Sequence, residues 1–248
     1  MIPAPDFQTA IKWQNETEFA LTAGIHSLDE VECEFWIDNV AAGNVYVNRG
    51  ITGAVVNRQP FGGWKRSSVG PNAKAGGLNY LHTLRLWPTI SNLDDAMIAA
   101  ELWWSTIGSN AIDRSGLTVE MNFQRYRHYL KPILVRVDSN SFANDRAMIE
   151  SLRTLMGVVI EVSEAEQESV AQFLAQAVDF GRVRWLTTEP APVNELLQRG
   201  ISVDRRPIAQ RGDIEAARWL LEQSVAITYH RYGNTNGGPK PACRGLGD

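Results

Sequence analysis

The sequence contains few of the residues that proteins use for metal centres and disulfide frameworks. Among its 248 residues are two cysteines, Cys33 and Cys243, and four scattered histidines, with no C-x-x-C or H-x-x-x-H spacing. A zinc site built by this chain is therefore not expected, and two distant cysteines favour a reducing, cytoplasmic location. Cys33 lies within a predicted helix, where we interpret it as a surface or half-buried residue, because nothing nearby in the sequence would lower its pKa.

Long apolar runs, basic stripes and nucleotide fingerprints are also missing. No apolar run reaches the roughly 18 residues of a membrane-spanning helix, and no charged leader followed by an apolar stretch opens the chain. The net charge is −4 and the pI is near 5.6, which does not suit a nucleic-acid partner. Neither G-x-G-x-x-G nor G-x-x-x-x-G-K-S/T occurs, so the chain is not expected to hold a dinucleotide or nucleotide site.

What the sequence does contain is a long turn-rich stretch, residues 48–63, which we call the anchor loop. It follows a short hydrophobic strand predicted at residues 45–48 and carries four glycines and one proline. Glycine permits positive φ and lets a ligand approach backbone N–H groups closely, so such a loop can bind a carboxylate without a dedicated arginine. Loops of this length in compact domains are usually functional or disordered. The alternative is a turn that only reverses the chain.

Hydrophobic periodicity divides the chain into two predicted domains and a tail. Residues 1–87 combine short strands with glycine-rich connectors, and residues 88–232 alternate short β-like runs with amphipathic helices. Strands separated by helices are typical of a mostly parallel sheet. We therefore predict the α/β class, with a Rossmann-like α/β domain over residues 88–232 and a disordered tail over residues 233–248.

Local patterns predict where several elements begin. Ser27 with Glu30, and Ser163 with Glu166, have the spacing of a capping box and predict the starts of two helices. Residues 79–86 are strand-like. The first of the two helices should end at Gly43 and align on one face the residues Leu28, Val31, Phe35 and Asn39.

Several short motifs carry a resemblance to a known family. They are Ala20-Leu-Thr-Ala-Gly, Ser27-Leu-Asp, Ala42-Gly-Asn-Val-Tyr-Val-Asn-Arg49, Thr52-Gly-Ala54, Arg58-Gln-Pro-Phe-Gly-Gly63, Gly70-Pro and Lys74-Ala-Gly-Gly-Leu-Asn-Tyr80. In this order they resemble the C-terminal part of the aldehyde dehydrogenase superfamily. Within it they are most similar to the L-glutamate γ-semialdehyde (1-pyrroline-5-carboxylate) dehydrogenase branch, as in bifunctional proline-utilisation enzymes.

A second set of motifs resembles the C-terminal extension of the long versions of these enzymes. The set comprises Ser115-Gly-Leu, Glu120-Met-Asn122, Arg125-Tyr-Arg127 and Tyr229-His-Arg-Tyr-Gly-Asn234. With it, the resemblance covers nearly all of residues 6–234. Residues 1–87 would then be the C-terminal part of the catalytic domain, and residues 88–232 an extension domain.

The resemblance implies oxidation of the semialdehyde to glutamate with NAD in the degradation of proline. In this family a cysteine thiolate attacks the aldehyde, hydride is transferred, and a thioester is hydrolysed, which divides one difficult step into easier ones. The resemblance further implies that the backbone amides of Thr52, Gly53 and Ala54 bind the substrate α-carboxylate. Phe61 would pack against the aliphatic chain of the substrate.

The family's nucleophilic cysteine, general base and cofactor-binding half have no matching motif in this sequence. We therefore expect a fragment of a larger enzyme that neither turns over nor binds NAD alone. Its expected partners are the amino-acid aldehyde and either a separate N-terminal dehydrogenase half or further copies of itself, without nucleic acid or membrane. The alternatives are a non-catalytic interaction module and a remnant of the enzyme.

Overall fold

The computed structural model describes residues 1–56, 58–68, 70, 72–141, 143–231, 234–235 and 245. Its α-helices are α1 (Phe7–Asn15), α2 (Glu30–Asn39), α3 (Leu93–Trp103), α4 (Ala143–Met156), α5 (Val170–Gln176), α6 (Val193–Gln198) and α7 (Gly212–Ala217). Its strands are β1 (Phe19–Ala20), β2 (Thr22–Ile25), β3 (Asn44–Val47), β4 (Trp64–Lys65), β5 (Ile112–Asp113), β6 (Glu120–Arg127), β7 (Ile133–Val137), β8 (Ile160–Glu164), β9 (Arg182–Trp185), β10 (Ser202–Asp204), β11 (Leu221–Thr228), β12 (His230–Arg231) and β13 (Asn234–Thr235).

One compact unit comprises residues 1–80, 110–126 and those from 222 onward. Its largest sheet has the order β2-β3-β11-β6-β5, in which β3 pairs in parallel with both β2 and β11. Strand β3 is buried along its whole length, and its Val45 and Val47 belong to a core that includes Trp36 and Ile37 of α2. A continuous apolar run is typical of a strand that is covered on both faces. The anchor loop leaves this strand at its carboxyl end.

The second compact unit comprises residues 81–109 and 127–221. Its sheet has the order β10-β9-β7-β8, and all its neighbouring strands are parallel. Helices α4, α5 and α6 lie between successive strands along the chain. The core of this unit includes Leu134 and Val183 from the sheet, and Phe173 and Leu196 from the helices. The predicted α/β class, with a mostly parallel sheet in the later part of the chain, is confirmed.

The structure divides the chain differently from the predicted consecutive domains 1–87 and 88–232. The chain leaves the first unit after residue 80 and returns to it for residues 110–126. It then leaves the unit a second time and returns at residue 222. The reason is the sheet itself, since β11 is the neighbour of β3 and β6 is the neighbour of β11. Periodicity cannot show which strands pair over such sequence distances. The predicted tail, residues 233–248, lies almost wholly outside the described residues.

The predictions for α2 were wrong in both its start and its buried face. Asp29, not Ser27, caps the helix, because its carboxylate accepts hydrogen bonds from the amides of Val31 and Glu32 at 2.9 and 3.2 Å. The helix ends at Asn39, before Gly43. Its buried residues are Cys33, Trp36 and Ile37, whereas Leu28, Val31 and Phe35 are exposed. Both sets have helical spacing, so only packing against β3 decides which one is buried.

Two further local predictions were wrong for reasons of tertiary structure. Ser163 does not start a helix, because it remains in β8 and accepts a hydrogen bond from the buried Arg136 guanidinium at 2.7 Å. Helix α5 begins instead after Ser169, which forms a capping box with Gln172. Residues 79–86 form a turn and a 3₁₀ segment at Leu81–Leu84 rather than a strand. In this segment the side chain of Asn79 is bound within the first unit and Leu84 is exposed.

No helix in the described part of the chain is both long and apolar enough to span a membrane. Within the same residues, no three side chains among His, Cys, Asp and Glu come together as a metal site.

Candidate functional site

The anchor loop begins at Asn48, which holds the end of β3 against the end of β2. The amide of Asn48 donates to Ile25 O at 2.9 Å, and its side chain both accepts from Ser27 N at 3.0 Å and donates to Ser27 O at 2.9 Å. Its φ of 57° lies in the left-handed region that asparagine tolerates better than most residues. The loop therefore leaves the sheet from a fixed point and in a fixed direction.

The arc Thr52–Gly53–Ala54 lies largely at the surface. Thr52 and Gly53 are exposed and Ala54 is half-buried. Among the described residues, none accepts a hydrogen bond from these three amides. Gly53 has φ 77°, and an added Cβ there would meet no atom within 4 Å. Successive free N–H groups around a glycine with positive φ are the arrangement that binds anions in backbone concavities.

Gln59 fixes the far side of this arc. It is 3% exposed, and its Oε1 accepts from Val55 N at 2.8 Å while its Nε2 donates to Asn122 Oδ1 at 2.7 Å. The backbone amides of Arg58 and Gln59 both donate to Val55 O at 3.0 Å. The Val55 end of the loop is thus held by four hydrogen bonds, whereas the Thr52–Ala54 arc is held by none of these.

Two arginines of the loop converge on one carboxylate of β6. Arg49 Nη1 lies 3.3 Å from Glu120 Oε2, and Arg58 Nη1 lies 3.1 Å from Glu120 Oε1. The guanidinium of Arg49 also lies 5.5 Å from the ring centroid of Tyr46. These three side chains together carry a net charge of +1, and a positive charge favours the approach of an anionic ligand.

Phe61 is held separately from the Thr52–Ala54 arc. Its backbone exchanges two hydrogen bonds with Ala75, at 3.0 and 2.9 Å, in an antiparallel bridge. The residue is 37% exposed, so its ring is accessible to a ligand. Pro60, which precedes it, is fixed by a hydrogen bond from Ser224 Oγ to Pro60 O at 2.6 Å. The structure thus immobilises the backbone at the second half of the loop and leaves its aromatic side chain exposed.

A buried cluster of ionisable groups supports the glycines after Phe61. The ammonium of Lys74 donates to Gly62 O and, at 3.1 Å, to Asn44 Oδ1. Burial lowers the pKa of Lys74 to about 7, and the nearby carboxylate of Glu222 opposes this change. Burial likewise raises the pKa of Glu222. Asn79 joins the cluster by donating to Glu222 Oε1 at 3.0 Å.

The tyrosine beside this cluster keeps its proton. Tyr126 Oη accepts a hydrogen bond from Asn79 Nδ2 at 2.9 Å. Burial raises the pKa of Tyr126, and the carboxylate of Glu222 raises it further. The hydroxyl is therefore neutral over the physiological range, and the cluster contributes structure beneath the loop rather than an exposed acid or base.

Cys33 is a core residue and not a half-exposed one. It is 7% exposed and belongs to the apolar cluster with Trp36 and Val45. Burial raises the pKa of its thiol, and Glu32 raises it further. A buried thiol with a raised pKa is a poor nucleophile, so the interpretation that Cys33 is not a nucleophile has a physical basis, although its predicted exposure was wrong. Cys243 lies outside the described residues.

The parallel sheet of the second unit offers one place where a dinucleotide could bind, and the residues there do not fit one. In such sheets the ligand crevice lies between neighbouring strands whose connections run to opposite sides, here β7 and β9. Asp138 follows β7, and its carboxylate accepts from Asn140 N at 3.0 Å and from Thr188 N at 3.1 Å. Burial raises the pKa of Asp138, but hydrogen bonds from Thr187, Thr188 and Asn140 outweigh it and lower the pKa. The Asp138 carboxylate already accepts hydrogen bonds from these two backbone amides, and its negative charge would repel a pyrophosphate.

Sequence reasoning predicted a role for the arc and Phe61 but did not point to Gln59 and Asn122, whose side chains hold the loop. Gln59 lies inside a motif that was recognised, and Asn122 lies inside another. Their 63-residue separation hid the hydrogen bond between them. The only available signal was that a glutamine in a glycine-rich loop carries both a donor and an acceptor, which suits bridging two backbone or side-chain groups.

Three comparisons bear on this geometry. The model of the family described as "Aldehyde dehydrogenase family" matches residues 1–85. A 1-pyrroline-5-carboxylate dehydrogenase from a Geobacillus species and one from Bacillus cytotoxicus are each 44% identical over 78 residues, covering 32% of this chain and 15% of theirs. The solved structure of Proline Utilization A from Corynebacterium freiburgense matches 93% of this chain and 25% of its own, with a TM-score of 0.75 and 35% identity. The chain thus spans 15% of the length of the two curated relatives and a quarter of the solved one.

Proposed function

We propose that the anchor loop holds the substrate of a glutamate γ-semialdehyde dehydrogenase of proline degradation, because residues 1–85 match the model of the aldehyde dehydrogenase family. The amides of Thr52, Gly53 and Ala54 bind the α-carboxylate, and the Phe61 ring packs against the methylene groups. The observation that carries the proposal is the arc itself, where three consecutive amides, without an acceptor among the described residues, include that of a glycine with positive φ. Relatives that are 44% identical over 78 residues bear the name of this dehydrogenase activity.

The energetics suit selection of an amino-acid aldehyde. A hydrogen bond to a charged group is worth about 1.5–3 kcal/mol, so two or three amides distinguish a substrate with an α-carboxylate from a plain aldehyde. The net positive charge at Arg49, Arg58 and Glu120 adds a longer-range attraction for the same carboxylate. The apolar ring of Phe61 contributes by removing methylene surface from water.

We further propose that the chain performs binding but not the covalent step. Hydride transfer would require NAD bound elsewhere in the whole enzyme, since the crevice at Asp138 does not suit a dinucleotide. Cys33, the cysteine within the described residues, is buried in a core with a raised pKa. The remaining parts would come from another segment or from a separate dehydrogenase half, in the cytoplasm.

Binding is tested by NMR titration of the complete chain with two isomeric amides. L-Glutamine keeps the α-carboxylate, whereas isoglutamine replaces it with an amide and keeps the γ-carboxylate. We expect L-glutamate and L-glutamine to shift the amide resonances of Gly53 and Ala54, and isoglutamine to shift them at least about tenfold more weakly, which corresponds to about 1.4 kcal/mol. Equal responses to the two amides would contradict carboxylate capture by the arc.

The proposal that the chain binds substrate without performing the covalent step is tested by NADH formation from glutamate γ-semialdehyde. The purified chain should give none, and mixing or co-expression with a dehydrogenase half that carries the cysteine and cofactor domain should restore it. Turnover by the chain alone would refute the binding-only role. If the two proteins do not associate, complementation by a separate half is excluded.

A second candidate function concerns the unit of residues 81–109 and 127–221, which lies mostly beyond the family match. Its ligand crevice is closed by hydrogen bonds between the Asp138 and Thr188 segments, which favours a structural or interaction role over ligand binding. The absence of a thermal shift with NAD or ATP, each at millimolar concentration, would support this role, and a clear shift would contradict it.

A further inference from the structure

The anchor loop is fastened to β6 at two neighbouring points. Glu120 binds the two loop arginines, and Asn122 binds Gln59. Residues i and i+2 of a strand point to the same face, so one face of β6 reaches the loop twice. Residues 120–122 lie outside residues 1–85, the part that matches the family. The loop that would bind substrate is therefore supported by a strand from a different part of the sequence.

Asn122 is itself held in one orientation. Its backbone amide donates to Asp113 Oδ2 at 3.1 Å, and its side-chain Nδ2 donates to Ser115 Oγ at 3.2 Å and Glu120 Oε2 at 3.1 Å. With the amide nitrogen occupied in this way, Oδ1 is directed at Gln59 as an acceptor. Gln59 must then donate through Nε2 and accept from Val55 through Oε1. Both amide side chains thus have a defined orientation.

We propose that Gln59 and Asn122 are positioning residues that set the direction of the free amides of Thr52, Gly53 and Ala54. Gln59 fastens Val55, the residue directly after the arc, while Asn48 fastens the start of the loop. Both ends of the arc are thus fixed, while the arc itself makes no hydrogen bond through its amides to any described residue. The importance of Gln59 and Asn122 for substrate binding rests on the proposed function, but their effect on the shape of the loop does not.

The test uses the complete chain and two nearly isosteric variants, Gln59→Met and Asn122→Leu, with Gln223→Met as the matched control. Gln223 is a fully buried glutamine in the same unit, and its side chain bonds Arg125 Nε and Ala42 O rather than a residue of the anchor loop. Hydrogen exchange of the Val55 amide is followed in the free chain. L-Glutamate affinity is followed by the resonances of Gly53 and Ala54.

Gln59→Met should accelerate exchange at Val55 by at least about tenfold, shift the free Gly53 and Ala54 resonances, and weaken L-glutamate binding roughly tenfold. Asn122→Leu should act in the same direction, and the effect of the double variant should be smaller than the sum of the two single effects, because the two residues share one hydrogen bond. Gln223→Met should leave Val55 exchange and glutamate affinity unchanged at temperatures where the chain is folded. If Gln59→Met does not fold, Gln59→Asn, which is one methylene shorter, replaces it.

Two outcomes would overturn the inference. Unchanged Val55 exchange and unchanged arc resonances in Gln59→Met would show that the hydrogen bonds do not set the loop. Altered resonances with unaltered glutamate affinity would make Gln59 structural only. If the unsubstituted chain does not bind glutamate, the proposed function fails, and the positioning role is then decided by exchange and resonances in the free chain.

Discussion

Ile51 fills the space that a side chain on Gly24 would need. A Cβ added to Gly24 would lie 2.4 Å from Ile51 Cγ2, far inside van der Waals contact. Gly24 belongs to β2, and Ile51 is the residue directly before the Thr52–Ala54 arc. Because Gly24 has no side chain, Ile51 of the anchor loop can pack directly against β2.

Gly24→Ala should push Ile51 and the start of the arc away from β2. We expect the free energy of unfolding to fall by about 1–3 kcal/mol, which is typical of overpacking, and L-glutamate binding to weaken. Gly50→Ala is the matched control, since an added Cβ there would meet no atom within 4 Å, and it should change stability by less than about 0.5 kcal/mol. Urea unfolding and NMR titration measure both effects. Equal losses of stability and of glutamate binding in the two variants would contradict the packing of Ile51 against Gly24.

Gly53→Ala tests the backbone conformation rather than packing. At φ 77° a Cβ meets no neighbour but strains the backbone, so the variant should lose about 1–2 kcal/mol of stability or change the conformation of the arc. Gly53→Asn should lose less, because asparagine tolerates left-handed φ. Circular dichroism melts and the Ala54 resonance distinguish the two variants. An alanine variant that binds glutamate as well as the asparagine variant would show that this φ is not needed.

Local chemistry predicted the α/β class correctly, because this class depends on patterns of residues close in sequence. The roles of the anchor loop and its arc remain predictions from motif order. The wrong predictions concern features that depend on residues distant in the sequence. Helix α2 has two apolar faces, and packing buried the one with Trp36 rather than the one with Phe35. Ser163 has capping chemistry, but the buried charge of Arg136 uses its hydroxyl in a strand.

The supports of the site were unpredictable for a related reason. The hydrogen bond from Gln59 to Asn122 joins two segments of the first unit. Between these segments in the sequence, the chain passes through the second unit. Neither residue has a spacing pattern that marks it, since a single side-chain amide carries no periodic signal. The sequence could suggest which backbone amides are candidates for binding, but it could not identify β6 as the strand that holds the loop.

Lys74→Met should abolish a rise in stability above neutral pH. The pKa of Lys74 is about 7 in the folded chain and about 10.4 in an unfolded one. Between these values the unfolded state binds more protons, so the free energy of unfolding rises with pH. We expect Lys74 to contribute a rise of roughly 2–5 kcal/mol between pH 7 and pH 10.5, measured by urea unfolding.

The exposed Lys12 provides the control for this pH dependence. Its side chain is 74% exposed and lies 3.9 Å from Glu16, so Lys12→Met should retain the rise. Glu222 acts in the opposite sense at lower pH, because its raised pKa makes its contribution decline as the pH rises above about 4.3. A Lys74→Met variant with the unsubstituted slope above pH 7 would contradict the assignment.

Arg184→Met should destabilise the second unit strongly. Arg184 is fully buried and donates to Asp204 Oδ2 at 2.6 Å and Glu215 Oε1 at 2.8 Å. Removing one partner from a buried ionic network leaves carboxylates undercompensated, so we expect a loss of about 3–5 kcal/mol in urea unfolding followed by tryptophan fluorescence.

Arg153→Met is the matched substitution on the surface of the same unit. Arg153 lies 3.5 Å from Glu150, and both side chains are more than half exposed, so its loss should stay below about 1 kcal/mol. Similar losses in the two methionine variants would mean that the buried network does not stabilise the unit more than a surface pair does.

The parallel pairing of β3 with β11 joins residues 44–47 to residues 224–227. At roughly 5–20 residues per second on the ribosome, β3 is made some 10–40 s before its neighbour. During that interval the nascent sheet has an open edge on β3, a strand that is buried along its whole length in the folded chain, and such edges pair readily with other chains. A cell that makes this protein must therefore protect an unfinished strand until residues 224–227 have been synthesised.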